Sequence, residues 1–146
     1  MAAGDLIEDE TGTQRLIGYV LDVGQPDRRA RCTLSVSESH LNRHNVVHGG
    51  IVSTMLDSAM GATASLSVDE SGRAPFLTIS LATQFIAPAT SQSELIATGK
   101  FVGGGRALVF AEGELRDGSE RLIATATGVF KRVPPAQMDT PKGDDL

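Results

Sequence analysis

A carboxylate two helical turns beyond a pair of glycines is where this chain concentrates its chemistry. The stretch Asn42-Arg43-His44-Asn45-Val46-Val47-His48-Gly49-Gly50 runs into Ile51–Leu66, and Asp57 follows Gly49 by eight residues. Glycines that open a helix leave unpaired N–H groups at the positive end of the helix dipole. Without side chains there, a ligand carbonyl can come close. Such a spot stabilises a developing oxyanion, by roughly a hundredfold to a thousandfold per donor in known cases. A carboxylate on a mostly apolar helix is costly unless it has a partner or a purpose. Asp57 can serve as nucleophile, or as general base toward water. Asn42 and His48, on the preceding loop, can hydrogen-bond a substrate or orient the loop.

Each feature also has a plainer reading. The glycine pair also suits a tight loop-to-helix turn, and Asp57 could be a buried residue held by backbone groups. His48 reads more readily as a structural hydrogen-bonding residue than as a proton-transfer group. His40, His44 and His48 are spaced by four and would line up on a helix as metal ligands. Asn42, Asn45, Val46, Val47 and the glycines argue against a helix there, and no carboxylate or cysteine completes a set, so no metal is expected. Gly103-Gly104-Gly105-Arg106 lacks the strand-to-helix context of a phosphate cradle and reads as a hairpin.

The elements that must hold these residues follow from pattern. Leu16–Val23 and Arg29–Ser37 read as strands around the turn Gly24-Gln25-Pro26-Asp27. Ile51–Leu66 reads as a helix with Val52, Met55, Leu56, Ala59, Thr63 and Leu66 on one face. Thr54, Asp57, Gly61 and Ala64 lie on the other. Four strands follow, Phe76–Phe85, Glu94–Val102, Arg106–Arg116 and Arg121–Val133, with Asp117-Gly118-Ser119 as a second hairpin. In the first of these, Thr78 and Ser80 alternate onto one face. One helix cannot cover both faces of such a sheet, so it is expected to lie in the concavity of a curved one. The remaining face and edges call for a partner, which predicts a homo-oligomer. Residues 1–15 are expected as a short helix or a loose segment, 16–133 as the domain, and 134–146 as a disordered tail.

Composition narrows the class. The 146 residues carry 40% hydrophobic and 21% charged side chains, which excludes wholesale disorder. A net charge of −5 argues against a nucleic-acid partner. The single cysteine, Cys32, rules out an intrachain disulfide. No signal peptide or membrane span is legible, so a cytoplasmic location without membrane association is expected.

The run from Leu41 to Gly50, followed by Ser53-Thr54-Met55-Leu56-Asp57, resembles the signature of hotdog-fold acyl-CoA thioesterases. The branch is the phenylacetate-degradation type, related to 4-hydroxybenzoyl-CoA thioesterases. The likeness spans Leu16–Val133, including Gln84-Phe85-Ile86-Ala87-Pro88-Ala89 and Gly128-Val129-Phe130. Asn-x5-His-Gly-Gly-x6-Asp is a specific combination, where a bare His-Gly-Gly would be weak. The resemblance implies an α+β fold: a curved antiparallel sheet of five or six strands wrapped around one long central helix. It implies hydrolysis of an acyl- or aryl-CoA thioester, with coenzyme A as part of the substrate and no separate cofactor. Asp57 would be the catalytic carboxylate, Gly49 the amide that polarises the carbonyl, and Asn42 the loop asparagine. Thr78 would orient water. His48 is grouped with the catalytic residues. Gly50 and Ser80 are candidates for substrate binding, and Arg106, Lys131 and Arg132, with Lys100, for the phosphates of coenzyme A. A homodimer or homotetramer with the site between subunits is implied. Two other activities fit the same residues: a non-catalytic acyl-CoA-binding module, and an enoyl-thioester hydratase or dehydratase on the same fold.

Overall fold

In a computed structural model, which describes residues 5–134, the order is β1 (Leu6–Ile7), α1 (Gly12–Ile17), β2 (Val20–Asp22) and β3 (Arg31–Ser35). A 3-10 turn at Glu38–His40 precedes α2 (Gly49–Leu66). Then come β4 (Phe76–Phe85), β5 (Glu94–Gly104), β6 (Leu108–Asp117) and β7 (Leu122–Arg132). The strands form one antiparallel sheet in the order β1-β2-β3-β5-β6-β7-β4. The sheet curls around α2, the only long helix among the described residues. This is the hotdog arrangement expected from the sequence, with seven strands in place of five or six.

The helix forms because its interior holds Ala, Met and Leu at the right spacing and both its ends are capped. His48 sits at the N-cap with extended backbone, and its Nδ1 accepts from the Gly50 N–H at 2.8 Å. At the other end Ser67 Oγ donates to the Ala64 carbonyl, and the Arg28 guanidinium donates to the Leu66 carbonyl. Met55, Leu56, Ala59 and Met60 are fully buried. They meet Leu95 and Ala97 of β5, Val109, Ala111 and Leu115 of β6, and Ala124, Ala126 and Phe130 of β7. Each large side chain here contributes about 1.5–3 kcal/mol by leaving water.

Two sheet glycines set how close the helix comes. A methyl group built on Gly99 would lie 2.3 Å from Thr63 Oγ1 and 2.6 Å from the Ala59 carbonyl oxygen. One built on Gly113 would lie 3.1–3.2 Å from Met60 and Leu56. Thr63 is buried, donating to the Ala59 carbonyl at 2.8 Å and accepting from the Ala30 N–H at 3.0 Å. Backbone therefore rests nearly on backbone.

The structure departs from the sequence pattern at two places that matter. Leu16 and Ile17 do not begin a strand: they close α1, which is capped at its start by Thr11, whose Oγ1 accepts from the Gln14 N–H, and at its end by Gly18 with φ +91°. Leu16 is consequently 84% exposed, and the strand begins at Val20. Residues 5–15 are joined to the domain. The buried Gln14 donates to the carbonyls of Ile7 and Tyr19, and β1 pairs with β2. The second departure is in β4, where a bulge falls between Thr78 and Ser80. Thr78 pairs with Phe130, which faces the helix, while Ser80 pairs with Val129 on the opposite side of the sheet. The expected shared face of Thr78 and Ser80 is lost at Ile79.

No helix among the described residues is long and apolar enough to cross a membrane. The expected disordered tail falls, after Pro134, outside the described residues. Cys32 is buried, and burial pushes its thiol pKa well up.

Replacing Gly99 with Ala should lower stability by about 2–3 kcal/mol, since the obstacles are a buried hydroxyl and backbone that cannot yield. Chemical denaturation midpoints read this directly, and an unchanged midpoint would contradict the close approach described.

Candidate active site

Asp57 lies midway along α2, on the side turned from the core, and is half-buried. Its Oδ1 accepts from Thr78 Oγ1 at 2.6 Å, a short bond of the kind ionised acceptors make. The β4 bulge makes this contact, because only the shifted register turns Thr78 toward the helix. The carboxylate opens onto a cavity of about 280 Å³ lined by Asp57, Gly61 and Ser65 of α2 and by Pro75, Phe76 and Thr78 opposite. Arg73 stands at the same cavity, with its guanidinium paired to Glu10 at 2.8 Å. The second Asp57 oxygen has no partner among the described residues.

Gly49 is the first residue of α2, and its N–H has no partner among the described residues. The neighbouring amides are engaged: Gly50 N–H by His48 Nδ1, and Ile51 and Val52 N–H by the His48 carbonyl. The free amide sits at the positive end of an 18-residue helix. The Phe85 ring, from the end of β4, lies 3.3 Å from where a Gly49 Cβ would be. The amide is thus flanked by an aromatic side chain that is itself 59% exposed.

Asn42 holds the loop that presents Gly49. Its Oδ1 accepts from the N–H groups of His44 at 2.8 Å and Val46 at 3.3 Å, closing a turn in which Asn45 takes φ +60°. Its amide nitrogen stays available to donate. The loop is anchored where Val47 N–H donates to the Ala89 carbonyl. His48 acts here as a cap, and Gly50 as the donor it caps. His40 is buried, with Nδ1 accepting from Ser37 N–H and Nε2 on the Ile17 carbonyl. None of the three histidines bonds a carboxylate among the described residues, and no metal-ligating cluster occurs among them.

The remaining candidates divide. Arg106, in the turn between β5 and β6, adjoins Ala107, whose carbonyl accepts from the Arg132 N–H. Arg106, Lys131 and Arg132 thereby share one end of the sheet, and Arg132 pairs with Phe76 of the Asp57 cavity. Lys100 lies elsewhere, opposite Glu112. Ser80 does not share the face of Thr78 as the alternation implied: the bulge carries it to the outer face, away from Asp57. The sequence reading missed Phe85, Ser65 and Arg73. Ser65 was legible in principle, as it repeats the Asp57, Gly61 spacing of four.

Asp57 and Gly49 do not meet within one chain. Eight residues along a helix separate them by about 12 Å of rise and about 80° of rotation. One thioester cannot touch both.

The sequence pattern of the thioesterase superfamily matches residues 44–124, more than half of the chain. The chain belongs to the thioesterase superfamily. It is a thioester hydrolase, and its sequence is similar to mouse acyl-coenzyme A thioesterase 13, with 29% identity over 104 residues, 71% of this chain and 72% of the relative. Among solved structures it is similar to the E. coli PaaI protein from the phenylacetic acid degradation operon. The TM-score is 0.73 at 19% identity, over 86% of this chain and 87% of that one. A Bacillus halodurans protein solved with CoA gives 0.77 at 24%, over 88% and 82%. At those identities the likeness is one of fold, the hotdog fold.

Thr78→Val should leave folding intact and lower kcat for thioester hydrolysis about tenfold to a hundredfold, the worth of a hydrogen bond to a charged group. Retention of full kcat would remove Thr78 from the site.

Proposed function

We propose that this thioesterase hydrolyses an acyl-CoA thioester to the free acid and coenzyme A, at a site shared by two copies of the chain. The observation that carries the reading is Asp57. It is the one charged residue of α2, fixed at one oxygen by Thr78, with its other oxygen open to a cavity. The names of the curated relatives and the CoA held by a structural neighbour support the substrate class.

In this reading the Gly49 N–H of one subunit donates to the thioester oxygen as it gains charge. Asp57 of the other subunit supplies the attack. Either its free oxygen bonds the carbonyl carbon, expelling the CoA thiolate to leave an anhydride that water cleaves, or it takes a proton from a water that attacks. Both routes consume one water and release one carboxylic acid and one thiol. A metal or redox group has no step to perform. Asn42 orients the loop, and its free amide nitrogen can donate to the substrate. Arg106, Lys131 and Arg132 are the cations proposed for the CoA phosphates, at the end of the sheet nearest Phe76.

The shared site is supported by the 12 Å separation and by the edge of the sheet. β4 is ten residues long, pairs only with β7, and leaves Leu77, Ile79 and Phe85 more than half exposed. It contains no proline or lysine to blunt the edge. Pairing two such edges about a two-fold axis covers them and brings each Phe85, and the Gly49 beside it, toward the partner.

Thiol release from a panel of short-, medium-, long-chain and aryl-CoA thioesters tests the activity. Asp57→Asn should cut it by at least about a hundredfold with the fold unchanged. Binding across the panel without turnover would instead make the protein a binding module.

Complementation tests the sharing. Gly49→Pro deletes the N–H at a helix position that tolerates proline. Mixed and re-paired with Asp57→Asn, it should recover about a quarter of wild-type activity, from the half of random dimers that hold one intact site. No recovery would place both groups in one subunit.

A further inference from the structure

The cavity beside Asp57 runs along α2 through Gly61 to Ser65, one face of the helix at a spacing of four. Ser65 is 2% exposed, and its hydroxyl has no hydrogen-bond partner, the one such buried side-chain atom among the described residues. A serine inside a helix can usually satisfy itself on the carbonyl four residues back, as Thr63 does here on Ala59. Ser65 does not. The cavity lining mixes Gly61, Ala62 and Pro75 with the polar Asp57, Ser58, Arg73 and Thr78, none of which bonds the Ser65 hydroxyl. An alanine at 65 would avoid the desolvation cost.

We propose that Ser65 is a specificity-determining residue that recognises a neutral oxygen at the far end of the acyl group. The inference rests on the acyl-CoA reading above and adds the chemistry of the acyl chain to it. Asp57 and Ser65 are about 12 Å apart along the helix. Subtracting an approach of about 3 Å at each end leaves roughly 6–7 Å between the thioester carbon and the distal oxygen. That is the reach of a six-carbon chain bearing a terminal hydroxyl, and the cavity of about 280 Å³ admits a group of this size. A carboxylate would fit the chemistry poorly, because the one cation at the cavity, Arg73, is already paired with Glu10. A buried hydroxyl alone does not offset a buried charge.

The test compares 6-hydroxyhexanoyl-CoA with heptanoyl-CoA, which differ by hydroxyl against methyl. The ratio of their kcat/KM values should fall about threefold to tenfold on Ser65→Ala. The shorter pair, 4-hydroxybutanoyl-CoA and pentanoyl-CoA, cannot reach Ser65, and its ratio should stay the same. An unchanged ratio for the longer pair overturns the inference, as does an equal fall for both pairs. A wild-type protein that hydrolyses none of the four but cleaves aryl- or long-chain thioesters overturns this inference alone. One that cleaves no acyl-CoA thioester overturns the acyl-CoA reading and this inference with it.

Discussion

The fit of α2 onto Gly99 and Gly113 decides how everything else is arranged. With the Ala59 carbonyl and Thr63 hydroxyl pressed against Gly99, the helix has little freedom to rotate. Thr63 also bonds the Ala30 N–H and so fixes the helix to the start of β3. At 100° per residue, the direction of Asp57, Gly61 and Ser65 is then about 150° from the glycine contact. It can only be toward β4 and residues 72–76. The glycines of β5 and β6 that let the helix settle into the sheet are thus the reason Asp57 finds Thr78 on β4.

That dependence explains which features could be read from the sequence. The apolar period of α2 is strong, and Val52, Met55, Leu56, Ala59, Thr63 and Leu66 are all buried as their spacing implies. The strands of the second half alternate cleanly, most visibly in β6, where Val109, Ala111 and Leu115 are buried and Leu108, Phe110, Glu112 and Glu114 are exposed. The face of Thr78 was not legible, because the bulge at Ile79 leaves no residue-type signal: Thr-Ile-Ser suits regular alternation equally well. Leu16-Ile17 misled for a related reason. Branched residues favour a strand, but the cap at Thr11 and the left-handed Gly18 enclose a helix too short to show a period. The pairing of β1 with β2 depends on Gln14, a polar residue whose burial only tertiary structure could reveal.

The loop before α2 shows the same division of labour at smaller scale. Asn42 and His48 are both drawn into holding backbone: one closes the turn at Asn45, the other caps Gly50. Each leaves Gly49 with a fixed position and an unoccupied N–H. Mutation of His48 would therefore act on the amide through geometry, while Asn42 keeps an unused amide nitrogen besides its hold on the turn.

A single helix also limits what a single chain can do. A donor at its first residue and an acid at its ninth point to places about 12 Å apart, and no rotamer of a short aspartate spans that gap. A lengthened loop could bring another donor to Asp57 within one subunit, but here residues 72–76 are already occupied in walling the cavity. The unblunted edge of β4 offers the other solution, because a two-fold axis beside it, as proposed above, would supply two copies of each group at once. On this view the features that look costly in isolation have one origin. An exposed apolar edge, a bare amide, a lone charge on α2 and an unpartnered serine each break a local rule of folding, and all of them lie along α2 or the strand beside it. Departures from local consistency gathered in this way are what a working site leaves in a fold that is otherwise regular.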